Sequence, residues 1–81
     1  MKYAITPPQS RAARGLLSWS RDQLAEASGV PPRTVADFEL GNTAPRQTTV
    51  TKLQSALEAA GVIFIDQNGE GPGVRLRKEA R

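Results

Sequence analysis

Side chains able to perform covalent or acid–base chemistry are scarce in this 81-residue chain, which contains neither histidine nor cysteine. Nucleophilic catalysis, proton transfer and zinc hydrolysis depend mostly on those two residue types. The carboxylates of Asp22 and Glu26 lie one helical turn apart, yet no nucleophile accompanies them, so we interpret the pair as a solvated helix face. The composition therefore argues against an enzyme, predicts no metal site and no cofactor, and excludes disulfides.

Basic side chains are the more informative group. The chain has 11 Lys and Arg against 8 Asp and Glu, a net charge of +3. Residues 1–20 and 71–81 each carry a net charge of +3, whereas the segment between them is net negative. Such a balance favours polyanionic partners. The basic residues of the C-terminal end belong either to a phosphate-binding surface or to a solvated tail; they are Arg75, Arg77, Lys78 and Arg81.

Signals for helix ends are clear in the first sixty residues. They predict helices over residues 7–17, 21–28, 32–40 and from 47 or 48 to 60. Thr6 and Gln9 form a capping-box pattern before the first helix, and Ser20 with Gln23 repeats it before the second. Gly29 suits the left-handed cap that ends the second helix. Each of these positions therefore has a definite role in starting or stopping a helix.

Apolar residues at helical spacing indicate which faces are buried. The residues predicted to face the core are Ala12, Ala13, Leu16, Leu17, Leu24, Ala25, Ala27 or Ser28, Val35, Phe38, Val50, Leu53, Leu57 and Ala60. On the third helix, residues 33, 34, 36 and 37 are left facing outward. That helix thus has one face for the core and one for a partner.

The final twenty residues are typical of a β-hairpin, with strands over residues 62–65 and 74–77 joined by a glycine-rich turn. A lone hairpin is barely stable in water, and both faces of its first strand are apolar. We infer a dimer contact, formed by sheet extension between two chains or by packing on helix four. The alternative is a hairpin folded over its own helices. The candidate dimerisation residues are Val62, Ile63, Phe64, Ile65, Val74 and Leu76.

Two short helices joined by a glycine-containing turn have the organisation of a helix-turn-helix. On these residues the chain resembles the Cro and phage-repressor, or Xre-like, family of helix-turn-helix regulators. The segments that carry the resemblance are Arg11–Leu17, Trp19–Ala25, Ser28–Val30 and Arg33–Gly41. The run from Trp19 to Gly41 matches the family's spacing without a gap.

The resemblance implies a mainly α fold, a compact four-helix repressor-like domain over residues 1–61, followed by a C-terminal β-hairpin and basic tail over 62–81. It also implies that the second helix spans the DNA backbone and that the third lies in the major groove. The matching base-facing positions are Pro31, Pro32, Arg33 and Asp37. The matching phosphate-facing positions are Ser20, Arg21, Thr34, Asn42, Thr43 and Arg46.

Arg33 is the strongest candidate for base readout, because a guanidinium can donate two hydrogen bonds to guanine. Asp37 either accepts from cytosine or orients Arg33 across one helical turn, and we favour the orienting role. The family commonly has polar residues where Pro31 and Pro32 stand, which reduces direct readout here. Simpler interpretations of the phosphate-facing set are helix caps and surface hydroxyls at Ser20 and Thr34, and solvated side chains at the arginines.

One further pair follows from the resemblance. In similar proteins the residues matching Arg14 and Glu39 form a partly buried ion pair that fixes the recognition helix on helix one. Removal of one member of such a pair costs about 3–5 kcal/mol, because the other charge is stranded.

Together these features predict a cytoplasmic, homodimeric, sequence-specific DNA-binding regulator, with repression as the simplest mechanism. Its expected partner is double-stranded DNA with an inverted repeat, whose half-sites lie about 34–36 Å apart. No stretch approaches the roughly 20 apolar residues of a membrane helix. The alternatives are an antitoxin or other protein-interaction module that neutralises a partner protein, and an architectural nucleic-acid binder without sequence preference.

Overall fold

A computed structural model of the chain describes residues 4–42, 44–66 and 69–78, and over those residues it contains four helices and one two-stranded antiparallel sheet. The elements are α1 (Pro7–Leu17), α2 (Arg21–Ser28), α3 (Pro32–Leu40), α4 (Gln47–Ala59), β1 (Val62–Ile65) and β2 (Gly73–Leu76). The mainly α fold with a C-terminal hairpin is as the sequence predicts. The predicted first and last residues of α1, α2 and α3 are confirmed. Helix α4 ends one residue earlier than predicted, at Ala59.

Both predicted capping boxes are present. At α1 the Gln9 amide donates to the Thr6 hydroxyl (3.2 Å), and the Thr6 amide donates to Gln9 Oε1 (2.9 Å). At α2 the Gln23 amide donates to Ser20 Oγ (3.1 Å), and the Ser20 amide donates to Gln23 Oε1 (2.7 Å). Each box satisfies amides that the first helical turn leaves without a partner, which explains why these two helices begin where they do.

The core lies between the helices and the inner face of the hairpin. Its buried apolar residues are Ile5, Ala13, Leu24, Ala25, Val30, Val35, Phe38, Val50, Leu53, Leu57, Val62 and Phe64. The prediction was wrong for Ala12 and Leu16, which are exposed, and Ala60 is only half-buried. Of the alternatives Ala27 and Ser28, Ala27 is exposed and Ser28 is half-buried. Helix α1 turns a different face inward, because its polar residues Gln9 and Ser10 make buried hydrogen bonds to distant parts of the chain.

The hairpin packs on helices of its own chain. β1 contacts α4 and α1, and β2 contacts α1. Strand β2 covers Gly73–Leu76, so it begins and ends one residue earlier than predicted. The paired residues are Val62 with Leu76, Ile63 with Arg75, Phe64 with Val74 and Ile65 with Gly73. The own-helix alternative is therefore the observed arrangement, and a contact with a second chain stays a prediction.

Gln9 joins the start of α1 to the turn end of the hairpin. Besides closing the capping box, its Nε2 donates to the carbonyl of Gly73 (3.0 Å) and approaches that of Ile65 (3.4 Å). The side chain is 3% exposed. A buried amide with its hydrogen bonds satisfied fixes position without the cost of an unpaired polar group, so one residue sets where the hairpin sits on α1.

Candidate nucleic-acid interface

The turn between α2 and α3 is held by local contacts. Gly29 has φ 76°, a left-handed conformation in which a Cβ would be strained. Ser28 Oγ donates to the Ala25 carbonyl (3.3 Å) and accepts from the Val30 amide (3.2 Å), and Val30 is buried. The two helices then meet through core residues of both, including Leu24 and Val35. The turn therefore fixes how α3 leaves α2.

The N-terminal half of α3 is its open end. Pro31, Pro32 and Arg33 are exposed, and Thr34 and Asp37 are half-buried. Pro31 occupies the N-cap position with no side-chain hydrogen bond to the helix. Since Pro32 stands at a first helical position, where its missing N–H removes no helical bond, the helix starts there without a capping hydroxyl. This end of α3 is available to a partner.

The Arg33 guanidinium has no ion pair with Asp37 in the protein alone. Among the residues that the structure describes, the ion pair within 4.0 Å joins Arg14 and Glu39. Pairing of exposed side chains one turn apart is worth only about 0.3–0.5 kcal/mol, so solvation competes with it successfully. The orienting role of Asp37 on DNA therefore stays a prediction.

The C-terminal end of α3 is fixed through Glu39, whose side chain is 1% exposed. Arg14 donates to its carboxylate from Nη2 (2.7 Å) and from Nε (3.0 and 3.1 Å). Ser10 Oγ donates to the same carboxylate at 2.5 Å, and Arg11 donates to the Glu39 carbonyl. Arg14 Nη1 also donates to the carbonyl of Trp19, at the start of α2 (3.0 Å). The Glu39 carboxylate therefore connects α1 with the C-terminal end of α3, and its partner Arg14 connects α1 with the segment before α2.

Comparison with known families agrees with this geometry. Residues 11–59, more than half of the chain, match a family model described as helix-turn-helix, that of the Cro/C1 type. The chain belongs to the Cro/C1-type helix-turn-helix family. It is accordingly a DNA-binding transcription regulator, and the family is regulatory rather than enzymatic. No curated protein matches the chain.

Two negative findings complete the description of this Cro/C1-type domain. No helix within residues 4–42, 44–66 and 69–78 is long and apolar enough to cross a membrane. Over those same ranges, no group of three or more Asp, Glu, His or Cys side chains is arranged to hold a metal ion.

The residues expected to contact phosphate lie at the start of α2, on α3 and in the segment after α3. Ser20 and Arg21 are exposed at the N-terminus of α2, and Asn42 and Arg46 are exposed after α3. Thr43 lies outside the described residues. The Ser20 hydroxyl caps α2, which is the simpler of the two interpretations given for it. Ser20 is also exposed at the N-terminus of α2, and a helix N-terminus favours an anion.

Asp22 and Glu26 lie beside the open end of α3 in this Cro/C1-type fold. They line a shallow depression of about 370 Å³ that also includes Pro31 and Pro32. Both carboxylates are exposed, and no other titratable side chain lines the depression. The arrangement is that of a solvated face, and its negative charge disfavours a phosphate directly over the prolines.

Sequence reasoning missed two residues that hold the recognition helix in place, Ser10 and Arg11. Ser10 and Arg14 are four residues apart, so they lie on one side of α1 and reach the same carboxylate. That spacing, a small hydroxyl one turn before an arginine, was the available signal. It was overlooked because the search for the buried face of α1 followed apolar residues alone.

Proposed function

We propose that this chain is a sequence-specific transcriptional repressor that binds an inverted-repeat operator as a homodimer. The observation that carries the proposal is the contrast within α3, where Arg33 is exposed while Glu39, less than two turns later, is buried and held by three α1 residues. A rigidly mounted helix with a free N-terminal half can enter the major groove, which is about 12 Å wide.

Base readout in this proposal depends mainly on Arg33. Its guanidinium can donate to both acceptors of a guanine in the major groove, a pairing worth about 1–3 kcal/mol of discrimination. Pro31 and Pro32 have no side-chain donors and contribute apolar contact with a thymine methyl. Asp37 orients Arg33 once DNA is bound, when water is excluded and pairing of the two side chains is stronger.

Phosphate contacts position the helix on the duplex. The amides at the start of α2 suit a phosphate, because the helix dipole favours an anion there. The side chains proposed to contribute are Ser20, Arg21, Thr34, Asn42, Thr43 and Arg46. These contacts are not sequence-specific, so they account for affinity and its salt dependence rather than for the choice of operator.

A single protomer is too small to read two successive turns of the major groove. Its largest dimension is 30 Å, whereas half-sites on one face of the duplex are about 34–36 Å apart. Two copies related by a twofold axis would supply the second recognition helix and would prefer an inverted repeat. We assign the dimer contact to residues 62–81, and repression to occupation of the promoter by the dimer.

Selection of bound sequences from a random duplex pool, at one stated salt concentration, tests the proposal. We expect enrichment of a palindrome with half-sites one helical turn apart and with a guanine at the position that Arg33 contacts. Binding without enrichment would indicate an architectural nucleic-acid binder. Absence of DNA binding, together with a stoichiometric protein partner that stays bound through purification, would favour the antitoxin function instead.

A further inference from the structure

The hairpin has an inner and an outer face. Side chains alternate between the two faces along a strand, and residues paired across an antiparallel ladder share a face. The side chains that belong to the core or pack against it are Val62, Phe64, Val74 and Leu76. The opposite side, which we call the outer hairpin face, is formed by Ile63, Ile65, Arg75 and Arg77. Arg77 is included because its amide continues the ladder to the Gly61 carbonyl (2.8 Å).

The outer hairpin face is positively charged. Arg75 and Arg77 are exposed, as is Lys78 directly after them, so three positive charges lie within four residues. None of the three forms an ion pair with a residue that the structure describes. The exposed carboxylates of Asp66 and Glu70 lie at the other end of the hairpin, beyond its last strand pair at the turn. The basic end is therefore available to an anion.

The apolar side chains of the outer hairpin face are partly covered. Ile63 lies opposite Arg75, whose aliphatic stem can lie over it while the guanidinium stays in water. Ile65 lies over Gly73, where an added Cβ would be 3.7 Å from Ile65 Cδ1. Both isoleucines are half-buried, and the exposed large apolar side chains of the described residues lie on α1 and α3 instead. The face thus offers charge rather than apolar area to a partner.

The outer hairpin face is separate from the open end of α3. Both strands pack on α1, and β1 also packs on α4, whereas α3 packs on α1 and α2. Neither strand has a contact of comparable extent with α2 or α3. The outer hairpin face is turned away from α1 and α4, so it belongs to a different surface from the one that α3 presents. A duplex held by α3 should therefore leave this face free.

We propose that the outer hairpin face binds the phosphate backbone of a second segment of duplex DNA, separate from the segment that α3 reads. The inference goes beyond the proposed function, because it makes the protein able to hold two DNA segments together. Arg75 and Arg77 are two residues apart, which is about 7 Å along a strand. Each DNA strand has one phosphate for about every 3.4 Å of helix axis, so each guanidinium can reach a phosphate of its own.

The chemistry of the face favours DNA over a protein or a membrane. Protein–DNA interfaces are more polar and much more positively charged than protein–protein interfaces, whose centres are depleted of charged residues. A membrane-binding surface needs apolar side chains free to enter the bilayer boundary, and Ile63 and Ile65 are half-buried. The chain also belongs to a DNA-binding family, so when it is bound to one site the neighbouring DNA is present at high effective concentration.

Capture of a second duplex by DNA-bound, full-length protein tests the inference. The selected operator duplex, or a random-sequence duplex if selection enriches none, is fixed to a biosensor surface and loaded with protein. A fluorescent duplex of unrelated sequence is then added at one stated salt concentration. We expect wild type to capture it, and the double variant Arg75→Gln/Arg77→Gln to capture it about tenfold more weakly while loading onto the first duplex is unchanged. Arg75→Lys/Arg77→Lys keeps both charges and should retain capture.

Lys52→Gln on α4 is the matched control, since it removes an exposed positive charge outside the hairpin and should capture the second duplex as wild type does. Thermal melts show that each variant is folded. Equal capture by wild type and the double glutamine variant, or no capture by wild type, would overturn the inference and leave operator selection, and with it the proposed function, intact.

Two further outcomes would also overturn the inference. Weaker loading of the double glutamine variant onto the first duplex would place the two arginines on the DNA that α3 reads. Capture of polyglutamate or of anionic lipid vesicles, but not of duplex DNA, would assign the outer hairpin face to an acidic protein or to a membrane.

Discussion

The two sides of the helix-turn-helix differ in how their polar groups are satisfied. On the α1 side, Glu39 and Gln9 are buried and bonded to several partners within the chain. Among the described residues no buried side-chain nitrogen or oxygen lacks a hydrogen-bond partner. On the outer side, Arg33 and Arg21 are exposed, and their guanidinium groups form no ion pair in the described chain.

This difference separates the residues that hold α3 in place from the residues that are available to DNA. Buried polar contacts have a single satisfactory geometry, so they hold α3 in one position relative to α1. Exposed groups exchange water for DNA at little cost to the fold. Substitutions on the α1 side should therefore change stability, and substitutions on the outer side should change DNA binding.

The largest effect is expected for Arg14→Ala. The variant leaves the Glu39 carboxylate buried with its main partner removed, which costs about 3–5 kcal/mol in the free energy of unfolding. A domain of this size has a net stability of roughly 5 kcal/mol or less, so much of the variant should be unfolded at 25 °C. Urea denaturation followed by circular dichroism measures the loss.

Arg21→Ala is the control for Arg14→Ala, because it removes an exposed arginine and should change stability by no more than about 0.5 kcal/mol. Equal stability of the Arg14 variant and wild type would mean that the buried pair does not support α3, and the division between the two sides would fail.

Arg33→Ala tests the outer side. We expect wild-type stability and a loss of about 1–3 kcal/mol in binding free energy, confined to one base position per half-site. Binding to a panel of single-base operator variants at fixed salt gives the result. A uniform loss across all sequences would reassign Arg33 to the DNA backbone.

Gln9→Ala and Gln23→Ala form a matched pair, since both residues close a capping box. Gln23 is exposed, and among the described residues its hydrogen bonds are those of the capping box, so its loss should cost about 0.5–1 kcal/mol. Gln9 also holds the hairpin from a buried position, and its loss should cost about 1–3 kcal/mol, because the half-buried residues Gly73 and Ile65 each lose a donor to their carbonyls. Identical costs in urea denaturation would show that the hairpin contact contributes nothing.

Asp37→Asn has the smallest expected effect. Stability should stay within about 0.5 kcal/mol of wild type, because Asp37 forms no ion pair with any residue that the structure describes. If Asp37 orients Arg33 on DNA, discrimination should weaken by less than about 1 kcal/mol at the base that Arg33 contacts. A change at a different base, in the same operator panel, would assign Asp37 to direct readout of cytosine.

Local signals in the sequence predicted the helices well, for a physical reason. A capping box needs only two residues three positions apart, as at Thr6 and Gln9, and a left-handed cap needs only a glycine such as Gly29. These interactions are complete within one turn of the chain, so the order of residues alone determines them. The type and spacing of residues also placed Val35 and Phe38 inward and Arg33 outward on α3.

The rotation of α1 was decided only by the tertiary structure. Its apolar residues predict a buried face through Ala12, Ala13 and Leu16. Ala13 is buried as predicted, but the helix buries Gln9 and Ser10 in place of Ala12 and Leu16. Their partners, Gly73 and Glu39, are 64 and 29 residues away along the chain. Whether a polar side chain is buried depends on such distant partners, because burial is favourable only where its hydrogen bonds are satisfied. The sequence thus determined where the helices start and stop, and long-range polar contacts determined which face α1 turns to the core.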